Sequence, residues 1–313
     1  MRDIALPLPI VRTFLGPMYR VSLHARLPWR AQRTLLDLGS ALQPVPPGTE
    51  VRRIRLGGRP AERLAPRGAA DTPTEAGGSR AAVLSLHGGG YTVGSLATHR
   101  SLNGRLAAET GLPVYAVDYR LAPEHPYPAA LDDAEAAYLD LVDQHGYAPE
   151  RIAVTGDSAG GGLALALAQR LLGRHGHTPA ALGLIAPWVD PNQTAPRPRD
   201  LVVGSAWSRA CAAAYLGDGD PADTGYAPLH GALDGLPPVY VQVDIDELLH
   251  AQCVELTAAL RDAGVTVRFS ETRGLWHVAQ LQAGLLAQAA AALSEMAEFL
   301  RQAIAELPAR DLG

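Results

Sequence analysis

Between Ala81 and Ala186, short unbroken apolar runs alternate with longer stretches of helical spacing. Ala81–Leu86, Val114–Tyr119, Ile152–Thr155 and Leu182–Ala186 are the apolar runs. Leu102–Thr110, Ala129–His145 and Gly161–Leu172 lie between them with helix-like periodicity. Runs this short and this apolar predict strands buried on both faces. Their alternation with helices predicts an α/β fold, a mostly parallel sheet with helices on both faces. The rhythm breaks over 190–223, a segment rich in Pro, Gly, Asp and Arg around one helical stretch, Trp207–Leu216. An interruption between two core strands predicts a lid over the C-terminal edge of the sheet. After Pro237-Pro238 the alternation resumes with strand Val239–Val243, helix Ala251–Ala263, strand Val265–Ser270 and a last helix within Ala283–Leu307.

Upstream, residues 1–48 read as two amphipathic helical pieces that end at Pro44-Val45-Pro46-Pro47-Gly48, a run no helix continues through. Val51–Leu56 alternates apolar residues with Arg, which suits an edge strand with one wet face. Pro66–Arg80 has the composition of a polar loop. The expected organisation is one catalytic domain with a helical cap. Residues 1–48 form the N-terminal part of the cap, 49–189 core, 190–223 an inserted cap segment and 224–313 core.

Chemistry is carried by Gly156-Asp157-Ser158-Ala159-Gly160, set between a strand and a helix. A serine on such a turn is crowded by its neighbours, and only glycine lacks the Cβ that would collide. The hydroxyl then projects at a helix N-terminus, where developing negative charge is favoured. Upstream, His87-Gly88-Gly89-Gly90 follows another apolar strand. Bare glycine backbones let N–H groups approach a substrate oxygen closely, so Gly88 and Gly89, with the N–H of Ala159, are the candidate oxyanion hole. A phosphate loop would want a lysine, and a dinucleotide fingerprint would want glycine where Ser158 stands. Neither requirement is met.

A serine hydroxyl needs a base, and the base needs a carboxylate to orient it. On a parallel sheet, groups past the C-terminal ends of strands converge. His277 is the one histidine that follows a late strand in a loop leading to a helix. His175 and His177 flank Gly176 without a third ligand nearby, so they read as a surface turn rather than a metal site. The candidate acids are Asp244, Asp246 and Glu247, all just past Val239–Val243, and spacing does not separate them.

Composition narrows the picture. A net charge of −5 provides no electrostatic footprint for nucleic acid or an anionic membrane. All 27 basic residues are Arg, which removes lysine nucleophiles and Schiff-base chemistry. Cys211 and Cys253 give no disulfide framework and read as buried thiols. With no apolar leader-like run at the N-terminus, the expected location is the cytoplasm. No stable membrane association and no metal or cofactor are expected. The expected partner is a small-molecule substrate.

The chain resembles the hormone-sensitive-lipase-like (family IV) esterases of the α/β-hydrolase fold. The resemblance rests on His87-Gly88-Gly89-Gly90-Tyr91, on the run from Asp118-Tyr119-Arg120-Leu121-Ala122-Pro123 to Asp133, on Gly156–Gly161 and on Asp246-Glu247-Leu248. It implies Ser158 as nucleophile, His277 as base, a two-part lid and, often, homodimers. In that family an Asp two residues before a Leu completes the triad, which selects Asp246. It also implies that the proline-rich run from Tyr119 buttresses the active-site face. Two departures stand out. Val278 and Ala279 follow the histidine where Gly and Phe are usual, and Asp244 replaces a common Gly, which sets a second carboxylate near the triad. The implied activity is hydrolysis of short- to medium-chain carboxylic esters through an acyl-enzyme. Amide or lactone cleavage by the same triad is the alternative, and a non-catalytic receptor a more distant one.

Overall fold

The computed structural model describes residues 6–41, 43–68 and 80–306. The loop expected over Pro66–Arg80 therefore falls largely outside the described residues. Eight strands form one sheet: β1 (Thr49–Leu56), β2 (Arg59–Pro66), β3 (Ala82–Leu86), β4 (Val114–Val117), β5 (Ile152–Asp157), β6 (Leu182–Ile185), β7 (Val239–Asp244) and β8 (Val267–Thr272). Their order is β1-β2-β4-β3-β5-β6-β7-β8. β4 to β8 pair in parallel, and β2 runs antiparallel to both β1 and β4. Helices cover both faces, so the central strands β3 to β7 are buried at every position.

The helices are α1 (Leu8–Ser22), α2 (Trp29–Ser40), α3 (Leu96–Thr110), α4 (Ala129–Asp143), α5 (Ala159–His175), α6 (Ser205–Leu216), α7 (His250–Asp262) and α8 (Ala287–Ala305). α3 starts well before the apolar periodicity indicates because Ser95 caps it. The Ser95 hydroxyl accepts from the N–H groups of Ala97 and Thr98, and the Thr98 side chain accepts from Ser95 N–H. None of the helices in the described residues is long and apolar enough to cross a membrane.

β2 escapes the apolar reading because Arg59–Pro66 carries two prolines and the charged Glu62 and Arg63. Tertiary pairing overrides that composition. Glu62 is buried, with both carboxylate oxygens on the Arg100 guanidinium of α3 at 2.8 and 2.6 Å.

α1, α2 and α6 border the space above Ser158. α6 is tied to α2 by the Trp207 indole N–H, which donates to Gln32 Oε1 at 2.8 Å. Gln32 is fully buried and donates in turn to the carbonyls of His24 and Leu27. Cys211 and Cys253 are buried free thiols.

Candidate active site

Ser158 sits where β5 turns into α5, with φ 51° and ψ −120°. Side chains rarely adopt that backbone conformation, and the local hydrogen bonds hold it there. Its N–H donates to Ile185 O, and its carbonyl accepts from Gly161, Gly162 and Trp188. The flanking glycines are obligatory by contact. A Cβ on Gly156 would strike the backbone of Gly160, and one on Gly160 would strike the backbone of Leu86 and His87. As the first residue of α5, Ala159 has an N–H without an intrahelical partner, at the positive end of the helix.

The glycine loop departs from expectation at its first position. Gly88 N–H donates to Asp157 Oδ1 at 3.0 Å, so it is occupied within the protein. Asp157 is buried and also meets His99 Nε2 at 3.1–3.2 Å. Burial would raise its pKa, but His99, His87 and the Gly88 N–H outweigh that and hold it below the usual carboxylate value. The N–H groups of Gly89 and Gly90 meet no acceptor among the described residues. Of the expected set Gly88, Gly89 and Ala159, Gly88 is thus committed to Asp157, while the N–H groups of Gly89, Gly90 and Ala159 are free of internal acceptors among the described residues.

His87 braces the loop. Its Nδ1 lies 2.8 Å from Gly88 O, and its ring stacks on Tyr119 with centroids 4.2 Å apart. Burial first, then His99, pulls its pKa down to about 4, so it stays neutral. The Tyr119 hydroxyl donates to His87 O, and Ala122 N–H to Tyr91 O, which ties the proline-rich run to the loop.

His277 is buried on the loop after β8, and its Nδ1 lies 2.9 Å from Glu247 Oε1. Burial alone would lower its pKa. The charge and hydrogen bond of Glu247, with Asp200 and Asp157 beyond, outweigh it and leave the imidazole above its ordinary value. With Nδ1 committed to Glu247, Nε2 remains for Ser158, and both residues line the same two cavities. The Ser158 hydroxyl makes no capping bond to α5. In unliganded enzymes the serine–histidine contact often closes only with substrate bound.

The carboxylate at His277 is thus Glu247, and the expectation of Asp246 is corrected. Asp246 has a side chain 64% exposed and points to Arg197, 3.3 Å away. Glu247 is buried, and its second oxygen accepts the N–H of Asp244 at 3.1 Å, which fixes the side chain across the strand end. The rule of an Asp two residues before a leucine picks Asp246 through Leu248, but the adjacent Leu249 puts Glu247 in the same relation to a leucine.

Asp244 is not beside the imidazole either. It accepts from Thr272 Oγ1, Leu275 N–H and Asp246 N–H, so it staples the loop after β7 to the loop after β8. Asp200 holds the Glu247 loop from the inserted segment, accepting from Leu248 N–H at 3.0 Å. Val278 takes φ 53°, a left-handed conformation that suits the glycine usual there better than a β-branched residue. His175 lies remote from this centre, bonded to Glu135.

Two cavities meet at Ser158 and His277. One, about 80 Å³, lies toward Trp188, Leu248 and Gln252. The other, about 250 Å³, is mostly apolar and lies under α1 and α2, bordered by Leu15, Tyr19, Leu36 and Val93.

A serine on a strained turn after β5, a glycine loop after β3 and a buried Glu–His pair after β7 and β8 make the arrangement expected of a hydrolase of the α/β type. A family model for the alpha/beta hydrolase fold matches residues 83–281, and the chain belongs to that family, in its hormone-sensitive-lipase-like branch. It is 39% identical to an acetyl-hydrolase of Streptomyces hygroscopicus over 72% of this chain and 76% of that protein. It is 36% identical to an esterase of Acinetobacter venetianus over 86% of this chain and 88% of the relative. A crystal structure of an esterase from the bacterial hormone-sensitive lipase family superposes with a TM-score of 0.86 at 34% identity, over 94% of this chain and 98% of that one.

Proposed function

We propose that this protein is a serine carboxylesterase that hydrolyses short- to medium-chain carboxylic esters through an acyl-enzyme. The observation that carries the reading is the buried imidazole of His277, held through Nδ1 by Glu247 beside a strained Ser158. Ser158 Oγ attacks the ester carbonyl while His277 Nε2 takes its proton. The oxyanion is held by the N–H groups of Gly89, Gly90 and Ala159, each such donor contributing about 2.7–4 kcal/mol of transition-state stabilisation. His277 then protonates the departing alcohol, and water repeats the sequence to release the acid. Glu247 fixes the tautomer of His277 and stabilises its charged form. The relatives named as esterases and acetyl-hydrolases support the ester bond as the target. Short to medium acyl groups fit the modest size of the two cavities that meet at Ser158. The proposed chemistry uses no metal or cofactor and operates in the cytoplasm.

A chromogenic ester panel of increasing acyl length, run beside Ser158→Ala, tests the reading. The variant should lose about 10⁶-fold in kcat, the scale seen when a catalytic serine is removed. Turnover that survives the substitution would rule out the mechanism. A rate that climbs toward emulsified long-chain triglycerides would rule out the size preference. Dialysis against a chelator should leave the rate unchanged.

A further inference from the structure

The two cavities that meet at Ser158 differ about threefold in volume, ≈ 80 Å³ against ≈ 250 Å³, and they share few walls. Apart from Ser158 and His277, only Val203 and Trp207 line both. The Trp207 indole is buried, and its edge atom Cη2 lies 3.0 Å from where a side-chain carbon on Gly90 would sit. The ring therefore stands directly against the glycine loop and borders both cavities. It cannot swing aside freely, because its N–H is held by the fully buried Gln32 of α2.

We propose that Trp207 is the partition that makes this site asymmetric. One side of the ester bond is restricted to a group of a few heavy atoms, and the other takes a long or bulky apolar group. The substrate class is then esters with bulk on one side of the carboxyl linkage but not on both. This inference rests on the ester-hydrolase reading and refines it. Trp188 and Trp207 line the small compartment, and its volume leaves room for only a few heavy atoms. The large compartment has apolar walls from α1 and α2 and opens outward. Extra methylenes are favoured only where apolar walls receive them, and each one lost or gained in a pocket changes selectivity by about 10–200-fold.

Four esters separate the outcomes: ethyl acetate, hexyl acetate, ethyl hexanoate and hexyl hexanoate. The wild type should cleave one of the two singly long esters well, and the doubly long one about tenfold or more slower than that favoured ester. Trp207→Ala should close most of that gap by raising kcat/KM for hexyl hexanoate relative to the other three. Trp207→Phe keeps a ring in place and should keep the wild-type ranking. Ranking within each variant removes any general loss of rate from disturbing Gly90. If the alanine variant does not fold, Trp207→Leu shortens the wall and carries the same expectation. An unchanged ranking in a folded Ala or Leu variant overturns the partition. A wild type that cleaves hexyl hexanoate as well as its favoured singly long ester overturns it too. A wild type that cleaves none of the four while its Ser158 also resists an activated fluorophosphonate overturns the esterase reading itself, and the partition with it.

Discussion

At the scale of single residues, the acid of the proposed triad turns on one peptide unit. Asp246 and Glu247 are neighbours with the same charge, yet one is in water on Arg197 and the other is buried against His277. Glu247→Gln should keep the shape but lose the charge that orients and stabilises the imidazolium, a loss of about 10⁴-fold in kcat by analogy with the Asp→Asn change in serine proteases. Asp246→Asn should leave turnover near wild type. Steady-state assays of the two variants distinguish them directly. The pH dependence has a definite sign. A base whose pKa is raised stays protonated to higher pH, so activity should fall on the acid side at a pH above that of an ordinary histidine. In Glu247→Gln the residual activity should hold to lower pH, because the group that raises His277 has been neutralised. A profile in which the acid limb moves upward in that variant would contradict the assignment. Ser158 and His277 could be read from the sequence because glycine crowding and position after a late strand are local signals. The acid could not, because which of three carboxylates turns inward is decided by Asp244 and Glu247 bonding across the strand end.

At the scale of elements, the alternation of apolar runs and helical stretches anticipated almost every strand and helix, with errors at the ends. Those ends are set by caps and turns rather than by burial, as Ser95 shows at α3. The Ser95 hydroxyl also donates to Asp37 of α2, so one side chain links the start of α3 to α2. Ser95→Ala should cost about 1 kcal/mol of unfolding free energy, the usual value of an N-cap, measured by urea denaturation. β2 was hidden for a different reason. Its Glu62 is stabilised by Arg100, more than thirty residues away in sequence, and no local pattern announces such a partner. Gly88 illustrates the same limit at the site. Its N–H is spent on Asp157, a buried acid beside the nucleophile whose need for donors is visible only once the two loops are brought together. A transition-state analogue bound to Ser158 should place its oxyanion about 2.7–3.1 Å from the N–H groups of Gly89, Gly90 and Ala159. Gly88 should remain on Asp157 in that complex.

At the scale of the whole molecule, the proposed catalytic groups are distributed unevenly across the sheet. Ser158 follows β5, which is buried along its entire length near the middle. His277 follows β8, the last strand in the order, whose residues are all half-buried or exposed. Beyond the parallel pairing of β7 with β8, Asp244 ties that margin to its neighbour through Thr272 and Leu275. Local opening is easiest where burial is least, so β8 and its loop should release before the centre does. Turnover should therefore vanish at a lower urea concentration than the far-ultraviolet helical signal, and Asp244→Asn should widen that interval. Coincident midpoints in the wild type would contradict this. On this arrangement, mild heating silences the protein while most of its chain is still folded. The damage then lies in a peripheral ribbon that can re-pair on cooling, so early inactivation would be recoverable rather than final.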